Sequence, residues 1–221
     1  MYTPKVAVSI PVESKQQFVA DYKRAFAQGA DFVEARVDYF KGDIESIVGV
    51  MRKIAPRLII TLRPESQNGK FEGDVEVRVS TLKRLERKVE PFRTDIEHDI
   101  MENFYGNLFR RIISWHDFKE TPPLSKMINR FVEMRDYGDI IKLVPTPKNA
   151  REAKRILEIY NHVEGGNLIA FGMGRHGRGT RIECVSRERG APFTYASLGK
   201  AIAPGQFSLM EMKQLFKNMT D

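Results

Sequence analysis

A chain of 221 residues, 42% of them hydrophobic, can bury a sizeable core as one large domain or two small ones. The single cysteine, Cys184, excludes an intramolecular disulfide, and no run of about 18 apolar residues offers a membrane span. No charged segment followed by an apolar one suggests a signal peptide, so the expected location is the cytoplasm.

The formal charge of +7 admits two partners, a nucleic acid or a small anionic substrate drawn into a cleft. Much of the basic content alternates with acids, as in Lys83-Arg84-Leu85-Glu86-Arg87-Lys88, the pattern of a solvated helix face.

Taken in chain order, short β-rich runs alternate with amphipathic stretches. Strands are predicted at 5–12, 31–39, 57–63, 92–97, 110–116, 139–144, 167–173 and 192–197. Helices are predicted at 14–28, 43–55, 75–89, 122–137, 148–163 and 208–218. The stretch after the fourth strand is short, and a Gly/Arg-rich loop follows the seventh. Eight units at a spacing of about 28 residues predict an α/β fold, a single (β/α)8 TIM barrel over residues 1–221. The competing open doubly wound sheet lacks a G-x-G-x-x-G turn after its first strand.

Lys142 interrupts the apolar run Ile140-Ile141-Lys142-Leu143-Val144, which Pro145 ends. A run so short and β-branched reads as a strand buried on both faces. An ammonium there is costly unless it finds a carboxylate or loses its proton, and a neutral lysine is an amine nucleophile able to form a Schiff base. A strand-end lysine reaching water is the ordinary alternative.

Other strands carry charge on one face only. Residues two apart share a face, which groups Glu34, Arg36 and Asp38, then Ile59, Thr61 and Arg63, then Asp95 and Glu97, and then Ile112, Ser114 and His116. In a barrel the outer face must bury against helices, so these charges are expected to point inward, near the C-terminal strand ends where barrel active sites lie. Lysine offers carbonyl capture, histidine acid–base chemistry and arginine anion clamps. No carboxylate and histidine cluster suggests a metal site, so metal-free chemistry is expected.

These motifs together resemble a family. Glu34-Ala35-Arg36-Val37-Asp38, Thr61-Leu62-Arg63, Phe71-Glu72-Gly73, Asp95-Ile96-Glu97, Ser114-Trp115-His116-Asp117-Phe118, Thr121-Pro122 and Ile141-Lys142 occur in family-like order. Gly177-Arg178-Gly179-Thr180-Arg181 and Ala203-Pro204-Gly205-Gln206 complete the set. The chain resembles type I 3-dehydroquinate dehydratase, the Schiff-base enzyme of the shikimate pathway of aromatic amino-acid biosynthesis, along essentially its whole length.

The resemblance implies a (β/α)8 barrel, commonly homodimeric and free of cofactors. It implies that Lys142 forms an imine with the substrate's C3 ketone. His116 would remove a C2 proton and help the C1 hydroxyl leave, with Glu72 paired to that histidine. Arg181 and Gln206 would hold the substrate carboxylate, while Glu34, Arg36 and Arg63 would surround the C4 and C5 hydroxyls. Ser9 falls at a family serine on the first strand. Arg36 and Arg63 would favour a neutral Lys142 through their positive potential.

The chain departs from the family pattern in three places. Ile202 stands where many members carry a carboxylate-binding serine. Phe71-Glu72-Gly73-Asp74 replaces the commoner Glu-Gly-Gly. The chain begins almost directly with its first strand, so the N-terminal extension of some relatives is expected to be missing.

Another Schiff-base barrel, such as a class I aldolase, would instead use a phosphate site after strands seven and eight. A nucleic-acid-binding protein would gather its basic residues on an outer face. The segment Gly172–Gly179 lacks the G-K-[ST] ending of a phosphate-binding loop and reads as a substrate loop. Met173 reads as pocket wall, and Asp117 as a cap on the loop after the fifth strand.

Overall fold

The computed structural model describes residues 4–106, 110–163, 167–199 and 201–219; the ends of the predicted domain, 1–3 and 220–221, lie outside them. Eight parallel strands form one sheet: β1 (Val6–Pro11), β2 (Phe32–Arg36), β3 (Leu58–Thr61), β4 (Arg93–Glu97), β5 (Arg111–His116), β6 (Ile140–Val144), β7 (Leu168–Ala170) and β8 (Thr194–Ser197). Their order is β7-β6-β5-β4-β3-β2-β1-β8. The pairing of β1 with β8 curls the sheet into a nearly closed (β/α)8 barrel, the expected fold.

Helices α1 (Lys15–Ala27), α2 (Glu45–Arg52), α3 (Val75–Val89), α4 (Leu124–Met134), α5 (Ala150–Glu158) and α8 (Leu209–Asn218) link the strands or follow the last one. After β7 the Gly/Arg-rich segment folds as two short helices, α6 (Gly174–Gly177) and α7 (Thr180–Glu183), and a 3-10 segment, His98–Phe104, serves after β4.

Local chemistry explains the boundaries. The Ser14, Asp74, Asn149 and Ser208 side chains each accept the backbone N–H three residues on, capping α1, α3, α5 and α8. The Glu211 carboxylate in turn accepts from the Ser208 backbone N–H at 2.8 Å and completes a capping box. Four predicted strands end at the observed C-terminal residue, while those of β1, β2, β3 and β7 run one to three residues too long there. At β2 this happens because the backbone turns into a 3-10 segment at Val37–Tyr39.

The apolar core lies between the strands' outward faces and the helices. Phe18 of α1 and Leu85 of α3 are closed to solvent, each contributing about 1.5–3 kcal/mol by its burial. Below the site, Arg111 of β5 makes a fork of two 2.7 Å bonds to Glu86 of α3 and a third, 2.6 Å, to the Phe104 carbonyl.

Strand register places the inward residues. Ser9 lies beside Glu34, Thr61 beside Asp95, Glu97 beside Ser114, and Ser114 beside Lys142. The polar faces read from the sequence therefore meet inside the barrel.

Candidate active site

The cavity at the C-terminal ends of the strands is built from alternate strand positions. Ser9, Glu34, His116, Lys142, Val144 and Tyr195 line it from within the strands. Arg63, Phe171 and Met173 follow just past β3 and β7, Arg181 comes from the short helix α7, and Ile202 and Gln206 come from the loop after β8.

Lys142 is buried, and its ammonium contacts the Asp95 carboxylate in a very short ion pair. Ser114 donates to the other Asp95 oxygen at 2.5 Å, and Arg63 Nη2 lies 3.6 Å from the first. Burial works to raise the Asp95 carboxyl, but the Lys142 and Arg63 charges and the two hydrogen bonds outweigh it and hold it below the usual range. The Lys142 ammonium also sits 4.9 Å from the centre of the Tyr195 ring.

The expectation for Lys142 is therefore corrected in its electrostatics. The arginines do not act on it alone, because a carboxylate is in direct contact. The Lys142 Nζ thus sits in a buried ion pair with Asp95, the carboxylate partner that an ammonium at this strand position calls for.

His116 opens to the cavity at the end of β5, stacked on Phe118 at 5.9 Å between ring centres. Arg63 Nη1 lies 2.8 Å from its Nδ1 and 3.0 Å from its Nε2. A guanidinium only donates, so the imidazole must offer a lone pair and is neutral. Burial, then the charges of Arg63, Lys142, Arg36 and Arg181, hold its pKa well below the ordinary histidine value. Asp117 caps the following loop, as expected, accepting from the Lys119 and Glu120 backbones at 2.9 and 3.0 Å.

Arg181 is buried against Phe171, its guanidinium carbon 4.2 Å from the ring centre. Among the described residues it makes no ion pair, and its Nε has no hydrogen-bond partner. Burial pushes its pKa down to about 10. A buried cation without a counter-charge is costly, and an anionic ligand in this cavity would relieve that cost.

Glu34 accepts from Ser9 at 2.5 Å and from Thr61 at 2.8 Å. Gln206 reaches Ser9 with its amide at 3.5 Å, and its carbonyl accepts from the Ile202 backbone at 3.2 Å. Gly205 has φ of +75°, and a Cβ there would sit 2.3 Å from the Gly174 carbonyl oxygen. Only glycine lets this loop pack against the one after β7.

Two predicted residues are not in the cavity wall. Arg36 forks onto Asp38 at 2.8 and 2.7 Å just outside the lining, because the 3-10 turn after β2 brings that carboxylate back to it. Glu72 does not pair with His116: it is exposed and bonds Lys41 at 3.1 Å. The loop instead turns Gln67 and Asn68 into the cavity. Gly69 makes this possible, since a Cβ there would lie 2.0 Å from the Arg63 carbonyl oxygen.

Sequence reasoning also missed Tyr195, whose inward face follows from the β1–β8 register, in which Ser197 lies beside the inward Ser9 and Tyr195 beside Ala7. Cys184 is buried with its thiol raised to about 12, first by burial, and so is unreactive. His98 and His176 pair with Glu133 and Arg175 and lie outside the cavity lining.

Comparison with known proteins bears on the family and the fold. The family model described as Type I 3-dehydroquinase matches residues 6–221. The 3-dehydroquinate dehydratase of Thermococcus gammatolerans is 38% identical over 194 residues, covering 84% of this chain and 86% of the relative. The crystal structure of the Aquifex aeolicus 3-dehydroquinate dehydratase superposes with a TM-score of 0.81 at 30% identity, covering 97% and 98% of the two chains. That of the Geobacillus kaustophilus enzyme gives 0.87 at 19% identity, covering 99% and 91%, a likeness of fold. A family match running from the first strand to the last residue, joined to a close relative of nearly equal extent, means that this chain belongs to the type I 3-dehydroquinase family.

Proposed function

We propose that the chain eliminates water from 3-dehydroquinate to give 3-dehydroshikimate through an imine on Lys142, within the shikimate pathway of aromatic amino-acid biosynthesis. The observation that carries this reading is a buried, uncompensated Arg181 in the same cavity as a buried lysine and a neutral histidine. That combination suits a substrate carrying both a carboxylate and a ketone. It suits a phosphorylated aldolase substrate less well, because the only buried cation here without a counter-charge among the described residues is Arg181.

In this mechanism Lys142 Nζ adds to the C3 carbonyl and water departs as the imine forms. The protonated imine is an electron sink, so His116 can take the C2 proton and leave an enamine. The pair returns to expel the C1 hydroxyl, to which His116 gives the proton, and hydrolysis frees Lys142. Arg181 and Gln206 hold the carboxylate. Ser9, Glu34 and Arg63 hold the ring hydroxyls, with Arg36 acting from behind through its charge. The enzyme works without metal or organic cofactor, as a cytoplasmic homodimer acting on a small molecule and on neither nucleic acid nor membrane; no described helix is long and apolar enough to cross one.

Incubation with 3-dehydroquinate and borohydride, followed by mass spectrometry, tests the reading. A reduced adduct on Lys142 is expected, together with growth of the conjugated enone absorbance when borohydride is omitted. Turnover without any adduct would remove the imine, and absence of turnover would remove the substrate assignment.

The exposed position of Glu72 carries its own prediction. Glu72→Gln keeps kcat and KM within about twofold of the wild type and stability within about 0.5 kcal/mol, measured by steady-state kinetics and thermal melting. A loss of orders of magnitude would mean that the loop carries Glu72 to His116 during turnover.

A further inference from the structure

Glu97 lies one inward position beyond Asp95 on β4, closed to solvent, and the mechanism above does not use it. Among the described residues neither of its carboxylate oxygens has a hydrogen-bond partner. Burying a carboxylate in this way is costly, and the nearest offsetting charge is Arg63, whose Nε lies 3.7 Å from Glu97 Oε1. The Arg63 fork is thus divided among three groups. Nε faces Glu97, Nη2 faces Asp95 at 3.6 Å, and Nη1 faces the His116 ring. Two carboxylates stand behind the guanidinium and the imidazole stands before it.

We infer that Glu97 is a positioning residue that aims Arg63 at His116, and that its ionisation sets how strong a base the imidazole is. The inference rests on His116 being the base of the proposed reaction.

The charges around Glu97 agree with such a role. Arg63 from the end of β3, Asp95 on its own strand, Arg78 on α3 and Asp99 in the 3-10 segment face it. Burial raises its carboxyl; Arg63 and Arg78 pull it down and the two acids push it up, leaving it at about 7. Below that pH it is neutral, and the Arg63 field on His116 is offset by Asp95 alone. Above it, the carboxylate offsets that field and the neutral imidazole gains basicity.

The test is kcat against pH for the wild type, Glu97→Gln and Glu97→Asp, with thermal melting to check the fold. The wild type should rise by about tenfold through an inflection near pH 7, a factor equal to one pKa unit of basicity. Glu97→Gln should lack that rise and stay at the wild type's low-pH level, so the two curves meet in acid and part in base. Glu97→Asp should restore an inflection. A Glu97→Gln profile that parallels the wild type at every pH, lower or equal, overturns the inference, since a purely structural role would give that.

A second readout needs no substrate. The 15N resonances of the His116 ring should move through the same inflection in the wild type and not in Glu97→Gln. If the wild type proves unable to dehydrate 3-dehydroquinate, the functional reading fails, and this titration alone decides Glu97. An absent wild-type inflection, or one retained in Glu97→Gln, overturns the inference.

Discussion

Replacing Lys142 by arginine or by methionine removes the borohydride-trapped adduct and lowers kcat by a factor on the order of 10⁴ or more. Neither side chain offers a neutral amine, yet the two differ in what they leave behind. Arginine keeps a cation beside Asp95, so the buried carboxylate retains a counter-charge. Methionine fills most of the lysine stem's space and removes the charge. Breaking a buried ion pair costs about 3–5 kcal/mol when the survivor is left alone.

Asp95 is not left alone in the methionine variant, because Ser114 still donates at 2.5 Å and Arg63 Nη2 remains 3.6 Å away. The stability loss should therefore fall below that range, and thermal melting measures it. The decisive comparison is kinetic. If the arginine variant kept kcat within tenfold of the wild type, the lysine would be serving as a charge and the imine mechanism would be lost.

The fold was legible because every strand had to satisfy two solvents at once. Outward residues meet helices and inward ones meet the cavity, so runs such as Ile112-Ile113-Ser114-Trp115-His116 carry the alternation openly. Lys142 stood out for the same reason, being polar at an inward position of an otherwise aliphatic strand.

Its partner was harder to see. The sequence pairs Asp95 with inward arginines as readily as with Lys142, and only the β4–β5–β6 register, with Ser114 between them, decides. Loops were less legible than strands. Nothing local distinguishes Glu72 from Gln67 as the residue that returns to the cavity. That choice depends on where the backbone folds against Arg63, and the close approach at Gly69 fixes it. Arg36 was only partly legible for a related reason. Its strand position pointed inward, but the 3-10 turn that follows supplies Asp38 to satisfy its fork.

His116→Asn should separate the two halves of the proposed reaction. The imine at Lys142 still forms and is still trapped by borohydride, because carbonyl addition draws on the amine. Elimination slows by about 10²–10⁴, the usual worth of a positioned acid–base group. The pH profile gives the sign. His116 must be neutral to take the C2 proton, and burial together with the charges of Arg63, Lys142, Arg36 and Arg181 holds its pKa well below the ordinary value. Apart from the roughly tenfold step expected from Glu97 near pH 7, wild-type activity should therefore hold level as pH falls past about 6.5, where an unperturbed histidine would already be protonated, and collapse only in more acidic solution. Asparagine cannot titrate, so the residual rate of the variant should lack this acid limb. A variant that retains the limb would move the base to another group in the cavity, and one that fails to form the trapped imine would show that His116 also acts in carbonyl addition.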